Sequence, residues 1–187
     1  WVLEKAMEIL LNDILPKTDN LMVAIGLPVM HGDGRYNTLA LCVEGKLSGF
    51  YAKQIMARTG VHYEPRWFDS WFSNDESRIE IRGIRYPIGD ITLNYKGLCI
   101  GFEICEDAWH PEERPALKGS ARDADLILNA SASHHARGKL AERRALITGL
   151  KGKNDAYYLY TNHLGNESGR VIFDGEILFG NDGELIS

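Results

Sequence analysis

Cysteine is scarce in this sequence, with only Cys42, Cys99 and Cys105 among 187 residues. Three cannot all pair, and no CxxC spacing offers a zinc or redox site. That excludes a disulfide-stapled secreted scaffold and makes a reducing, cytoplasmic setting the expectation. Long apolar runs are missing too. The longest are strand-sized, so no transmembrane helix and no membrane partner are expected. Basic residues never form a block, and the formal net charge is −5, which argues against a nucleic-acid surface. There is no repeat of solenoid length and no low-complexity linker. The first residues carry charges inside an amphipathic pattern, unlike a secretory leader. The chain opens at Trp1 already inside that pattern and closes at Ser187 just after a hairpin-like stretch, so both ends read as cut.

What is present is ordinary for a folded domain. Apolar residues make up 44% and charged residues 25%, and residues 1–187 suffice for one domain with a real core. Leu3, Ala6, Met7, Leu10, Leu11 and Ile14 share one face of a helix over residues 1–15, which Pro16 ends. Residues 21–29 read as a buried strand and His31-Gly32-Asp33-Gly34 as a turn. Residues 38–43 and 47–52 are two more strands, joined at Glu44-Gly45-Lys46. This meander delivers Lys53 at its end. Residues 54–78 show little periodicity and several aromatics, which predicts a long ordered loop of the kind that carries function. The patterns then predict a strand at 79–81, a hairpin from 91–95 through Lys96-Gly97 to 98–104, and a helix from about 111 to 121. A buried strand at 125–130, a loop at 131–137, a helix at 139–154 and a strand at 156–162 follow. Residues 171–186 contain Asp174-Gly175 and Asp182-Gly183, both read as hairpin turns. Strands and helices mix throughout, so the fold class is α/β, or α+β in layers.

Cys105 has an unusual setting. A Cys after an apolar strand is ordinarily a small buried hydrophobe, and Cys42 and Cys99 take that reading. Cys105 instead sits where a strand stops and a loop leads to a helix, the place from which several unrelated hydrolases present a nucleophile. Glu103, Glu106 and Asp107 crowd it. Anionic neighbours oppose thiolate formation, so a reactive thiol here needs a nearby cation and a base. Lys53 is the candidate cation. It is either a solvated strand-end charge or a group that steadies an oxyanion. The backbone N–H of Glu106 is a second candidate donor. For residues 61–68 two readings stand level. One is a surface loop pinned by aromatic packing and a Glu–Arg ion pair; the other is a pocket wall in which Glu64 orients Lys53 or substrate. His134 and His135 are adjacent and face opposite ways on extended chain. No histidine shows ligand spacing, so no metal is expected. A Cys–His dyad stays open beside the reading of solvated loop histidines.

Lys53 closing a strand, Glu64-Pro65-Arg66-Trp67-Phe68, and Gly101-Phe102-Glu103-Ile104-Cys105-Glu106-Asp107 together resemble the nitrilase superfamily. The resemblance runs in order through essentially the whole chain. Ala52-Lys53-Gln54, Gly60-Val61-His62-Tyr63, Cys105-Glu106-Asp107-Ala108-Trp109 and Asn129-Ala130-Ser131-Ala132-Ser133-His134-His135 are similar, within that superfamily, to the glutaminase domains of glutamine-dependent NAD synthetases. The resemblance implies an αββα sandwich and a Glu-Lys-Cys triad, with Cys105 as nucleophile, Lys53 beside it and Glu64 as a supporting acid. It also implies substrate or oxyanion contacts at Glu106, Trp109, Ser131 and Ser133. The loop after Ser133 departs from the family pattern, and Arg137 is the nearest candidate for a substrate-binding arginine.

The implied chemistry is attack on the side-chain amide of glutamine, release of ammonia, and hydrolysis of a γ-glutamyl thioester, with no cofactor for this domain. Ammonia would pass to a fused synthetase domain that uses ATP and Mg. That domain's Ser-Gly-Gly motif does not occur in this chain. The resemblance places the triad Glu upstream of Trp1 and the last strands beyond Ser187, so the chain as it stands is expected to be incomplete for catalysis. The expected partners are glutamine, the synthetase domain of the same polypeptide, and further copies in a homo-oligomer. The alternatives are another nitrilase-type amidase or carbamoylase, and a non-catalytic nitrilase-fold interaction module.

Overall fold

The chain divides into two compact units, residues 1–93 and 94–187; among the described residues a five-stranded sheet lies in the first, and a two-stranded hairpin and nearly all of a six-stranded sheet lie in the second. The computed structural model describes residues 1–58, 62–167 and 169–187. In the first unit, α1 (Val2–Ile9) runs on through a wide turn at Leu10–Ile14 into a tight one at Leu15–Lys17. Pro16 stops it there, as its missing N–H requires. Five strands follow: β1 (Met22–His31), β2 (Gly34–Val43), β3 (Lys46–Ala52), β4 (Glu76–Ile81) and β5 (Ile84–Gly89). Their order in the sheet is β1-β2-β3-β5-β4. The meander β1-β2-β3 is antiparallel, from Met22 opposite Val43 to Thr38 opposite Ala52. Glu44 and Gly45 turn it with φ of 48° and 75°, the mirror-image turn that suits strand twist.

Two readings of this unit change. The strand expected to be buried at 21–29 is β1, an edge strand with a single neighbour, and Met22 and Met30 are exposed. No strand was expected at 84–89, where Pro87 interrupts the pattern. It is accommodated because the parallel ladder between β3 and β5 pairs only Phe50 with Ile88 and Tyr51 with Gly89, beyond the proline. Leu10, Ala40, Phe50, Trp71 and Ile88 form part of the core. Cys42 lies in it, and burial pushes its thiol up to about 11, in keeping with an inert packing role.

The second sheet holds β6 (Leu93–Tyr95), β7 (Leu98–Ile104), β8 (Leu126–Ser131) and β9 (Tyr157–Asn162). A separate hairpin, β10 (Leu164–Glu167) with β11 (Val171–Asp174), follows, and then β12 (Ile177–Asn181) and β13 (Glu184–Leu185). The order is β13-β12-β9-β8-β7-β6, with β7, β8 and β9 mutually parallel. Parallel strands need crossovers, and α2 (Pro115–Lys118) and α3 (Lys139–Thr148) lie in them. Ala116, Ile127, Leu146, Ile147, Tyr158 and Leu178 pack together as the core.

Three readings of this unit are corrected. The helix expected over 111–121 is broken into α2 and a tight turn at Ser120–Asp123. Pro115 opens α2, since proline is costly inside a helix, and Gly119 ends it by taking extended backbone, φ −90° and ψ −164°. The helix expected to reach 154 stops at Thr148, where Gly149 caps it and Gly152 takes φ 64°. Asp174-Gly175 is not a hairpin turn, because β11 pairs with β10 while β12 pairs with β9. Asp182-Gly183 does join β12 to β13.

Candidate active site

β7 ends at Ile104, and Cys105 follows with φ 47°. Left-handed backbone at a residue with a Cβ costs roughly 1–2 kcal/mol, and such strain collects at functional positions. The chain then enters a tight helical turn, Cys105–Trp109. Asp107, buried, accepts the Ile104 N–H at 2.9 Å and so closes that turn. The register carries the strand end sideways: Ile104 pairs with Ala130, Ala130 with Thr161, and Ser131 with Asn162. Cys105, Ser131 and Asn162 therefore stand in a row at the C-terminal ends of parallel strands, where open α/β sheets place their ligands.

The acidic residues around Cys105 are each engaged by a partner of their own. Glu106 pairs with His110 at 3.1 Å. Glu103 is fully buried, and its carboxylate meets Arg114 at 3.0 and 2.6 Å, the Ala116 N–H at 2.9 Å and the Tyr158 hydroxyl at 2.5 Å. Burial alone would lower the Arg114 pKa, but Glu103 and Tyr158 hold it above its ordinary value. Burial, then Glu103, push Tyr158 well above its ordinary value, so it keeps its proton. Arg114→Met strands Glu103 without its cation. It is expected to cost about 3–5 kcal/mol in urea unfolding, and a loss below about 1 kcal/mol would show the pair to be solvated.

The loop after β8 is held from below. Ser131 Oγ donates to Asn129 Oδ1 at 2.8 Å, and Asn129 Nδ2 donates to the Tyr158 hydroxyl at 2.8 Å. Asn162 accepts the Ser133 N–H and donates to the Ser133 carbonyl, each at 2.9 Å. Arg143, fully buried on α3, donates to the carbonyls of Ser133 and His134 and to the carboxylates of Asp174 and Glu176. Tyr160 is buried beside this group. Burial pushes its hydroxyl up to about 12, with smaller effects from Ser131, Arg143 and Cys105. Trp109 lies under the Lys139 ammonium at 4.5 Å. Arg137, the expected substrate arginine, is exposed. The buried arginine of this region is Arg143, which sequence reasoning missed. Its signal was there: it shares a helix face with Leu146, Ile147 and Leu150, all buried. A lone charge on an apolar stripe needs buried partners. Among the described residues no group of His, Cys, Asp and Glu is arranged to hold a metal.

Asp174 gives the loop a pH dependence. Burial would raise its pKa, but hydrogen bonds from Arg143, Asn162 and His135 bring it well below the ordinary carboxylate value. A depressed carboxylate stabilises the fold above its unfolded pKa of about 3.9, and that contribution fades as pH falls toward the folded value. Melting temperature is therefore expected to drop below about pH 4, and Asp174→Asn should flatten that limb. An unchanged acid limb in the variant would place the dependence elsewhere.

In the first unit, the end of β3 presents Lys53, which is buried although charged. Its ammonium pairs with Glu64 Oε2. Glu64 opens a tight turn, Glu64–Arg66. Its carboxylate also accepts the Ala57 N–H at 2.8 Å and Asn37 Nδ2 at 3.2 Å. Of the two readings left level at 61–68, the Glu–Arg pair is replaced by a Glu64–Lys53 pair. Gly60 and Val61 of that motif lie outside the described residues.

The model of the carbon-nitrogen hydrolase family matches residues 7–187. A glutamine-dependent NAD(+) synthetase of Mus musculus is 29% identical over 181 residues, covering 92% of this chain and 25% of that protein. The chain thus spans about a quarter of the length of the curated relatives it matches. The crystal structure of a glutamine-dependent NAD(+) synthetase from Cytophaga hutchinsonii superposes with a TM-score of 0.87 at 42% identity, over 100% of this chain and 30% of that one. A carbon-nitrogen hydrolase from Helicobacter pylori superposes at 0.75 with 17% identity, over 99% of this chain and 64% of that one, and so shares the fold. No described helix is long and apolar enough to cross a membrane.

Proposed function

This chain belongs to the carbon-nitrogen hydrolase family, and we propose that it is glutaminase-domain sequence in which Cys105 attacks the side-chain amide of glutamine. The observation that carries this reading is the presentation of Cys105: a thiol on left-handed backbone at the C-terminal end of a parallel strand. Its sulfur adds to the amide carbonyl and the oxygen takes the negative charge. The N–H of Glu106, early in the turn and without an intrahelical acceptor by position, is a donor for that oxygen. The resemblance assigns Lys53 the positive charge of the same step, and it assigns Glu64, which pairs with Lys53 within the first unit, the part of a supporting acid. Collapse of the adduct releases ammonia and leaves a γ-glutamyl thioester, which water hydrolyses to glutamate. The proton acceptor for the thiol is the Glu that the resemblance assigns upstream of Trp1. Trp109, Ser131 and Ser133 line the substrate. Arg137, exposed on the loop after Ser133, is the nearest candidate for the arginine that binds the substrate carboxylate.

The glutaminase step uses no metal or cofactor of its own. Ammonia goes to a synthetase domain of the same polypeptide, which spends ATP with Mg, in a cytoplasmic homo-oligomer. The similarity to glutamine-dependent NAD synthetases supports the synthetase-domain partner, while the cofactors, the compartment and the oligomer rest on the sequence reading alone. The test is ammonia release by the full-length protein from glutamine against a panel of amides and N-carbamoyl compounds. Preference for glutamine is expected. Preference for a carbamoyl substrate would move the chain to a carbamoylase reading.

A further inference from the structure

Ser131 ends a chain of hydrogen bonds whose polarity has one solution. At the inner end, a carboxylate facing a guanidinium accepts and does not donate, so Tyr158 spends its single proton on Glu103 at 2.5 Å. The Tyr158 oxygen accepts in turn, from Arg114 Nη2 at 3.0 Å and from Asn129 Nδ2 at 2.8 Å. This decides which way round the Asn129 amide sits. Its nitrogen faces Tyr158 and its Oδ1 faces Ser131, whose Oγ donates to it at 2.8 Å. Ser131 has one hydroxyl proton, which Asn129 Oδ1 takes, and the neighbouring Tyr160 hydroxyl, which burial keeps protonated, meets Ser131 as a donor. What Oγ keeps beyond these two is acceptor capacity.

The strand register sets that oxygen beside the thiol. Ile104 pairs with Ala130, so Cys105 and Ser131 are the next residues on neighbouring parallel strands, with Cys105 turning out of the ladder at φ 47°. We propose that Ser131 is a fixed hydrogen-bond acceptor for the N–H of the carboxamide that Cys105 attacks, and that Asn129 and Tyr158 are the positioning residues that fix it. The reacting group must lie at the thiol, so the N–H that meets Ser131 is that of the amide under attack. A donor for the oxygen at Glu106 and an acceptor for the nitrogen at Ser131 orient a primary carboxamide in one sense. An ester of the same acid lacks the second contact. The site thereby selects unsubstituted amides over esters, a selectivity built into the buried Arg114–Glu103 pair several residues away.

The inference rests on the glutaminase reading for the identity of the substrate, so two assays are needed. The first compares kcat/KM for glutamine with that for glutamate γ-methyl ester in the full-length protein. The second needs no turnover: it compares alkylation rates at Cys105, followed on its peptide by mass spectrometry, with iodoacetamide and with methyl iodoacetate. Ser131→Ala should lower the amide-over-ester preference by about threefold to tenfold in both assays, the worth of one neutral hydrogen bond. Tyr158→Phe frees the Asn129 amide to turn and should lower the same ratio, whereas Ser131→Thr, which keeps the hydroxyl, should retain it. A loss of stability alone would change the rates of both reagents together and leave the ratio unmoved. If glutamine is not a substrate but the alkylation ratio falls as stated, the glutaminase reading fails and the acceptor role stands. An alkylation ratio unchanged in Ser131→Ala overturns the proposal whatever Tyr158→Phe does.

Discussion

Cys105→Ala is expected to abolish ammonia release while the fold survives. Covalent catalysis needs the thiolate, and removing a nucleophile costs on the order of 10⁶ in rate where the catalytic groups act as a unit. Alanine leaves the strand, the turn and the Asp107 cap at Ile104 untouched, so melting should move little. The backbone provides a further check. At φ 47° the Cβ of either Cys or Ala is strained by roughly 1–2 kcal/mol. Glycine escapes that strain but loses about 0.5–1 kcal/mol to chain entropy. Cys105→Gly should therefore be as dead as Cys105→Ala, yet equal or slightly greater in stability. A glutamine-like electrophile should label Cys105 and spare Cys42, whose thiol burial holds at about 11. Turnover retained in Cys105→Ala, with amide hydrolysis at the wild-type rate, would remove the thiol from the mechanism altogether.

The parts of this molecule that were legible in the sequence are those written in local chemistry. The meander β1-β2-β3 was readable because short apolar runs are separated by turn residues, His31-Gly32-Asp33-Gly34 and then Glu44-Gly45. The strand before Cys105 was readable for the same reason, with Lys96-Gly97 turning the chain into it. Long-range pairing was not. β5 hides behind Pro87, and only its parallel contact with β3 explains how a proline sits there. Asp174-Gly175 has the composition of a hairpin turn, yet β11 turns back on β10, because β12 finds its partner in β9. Helix ends were misplaced where a glycine decided them through tertiary geometry: Gly149 after α3, Gly119 after α2.

The site divides in the same way. Cys105 was legible as the residue after a strand, and Lys53 as the residue that follows a strand end. The groups behind them were not, because their partners are far away in sequence. Glu103 reads as an unfavourable neighbour of a thiol until Arg114, Ala116 and Tyr158 are seen to engage it. Arg143 stands on the apolar stripe of its helix, and the groups that converge on it, Asp174, Glu176 and two loop carbonyls, are far away in sequence or on another element. A buried charge is a statement about its partners, and a sequence names the charge without naming them.

Lys53→Met should lose both activity and stability, and the two losses can be separated. Methionine keeps most of the apolar stem and removes the ammonium. If Lys53 steadies the developing oxyanion, the rate falls by at least about 10²–10³. Stability falls as well, because Lys53 is 1% exposed and Glu64 17% exposed, and breaking a buried pair strands the remaining charge at a cost of about 3–5 kcal/mol. The lower end of that range applies here, since Glu64 keeps its bonds to the Ala57 N–H and to Asn37. An activity loss in this variant alone is thus ambiguous between chemistry and damage. Lys53→Met combined with Glu64→Gln resolves it. Replacing both charges leaves no uncompensated carboxylate, and a neutral glutamine can still accept from Ala57. The double variant should regain most of the lost melting temperature while its turnover stays as low as that of Lys53→Met. Turnover that recovers along with stability would reduce the pair to a structural ion pair and leave the oxyanion to other donors.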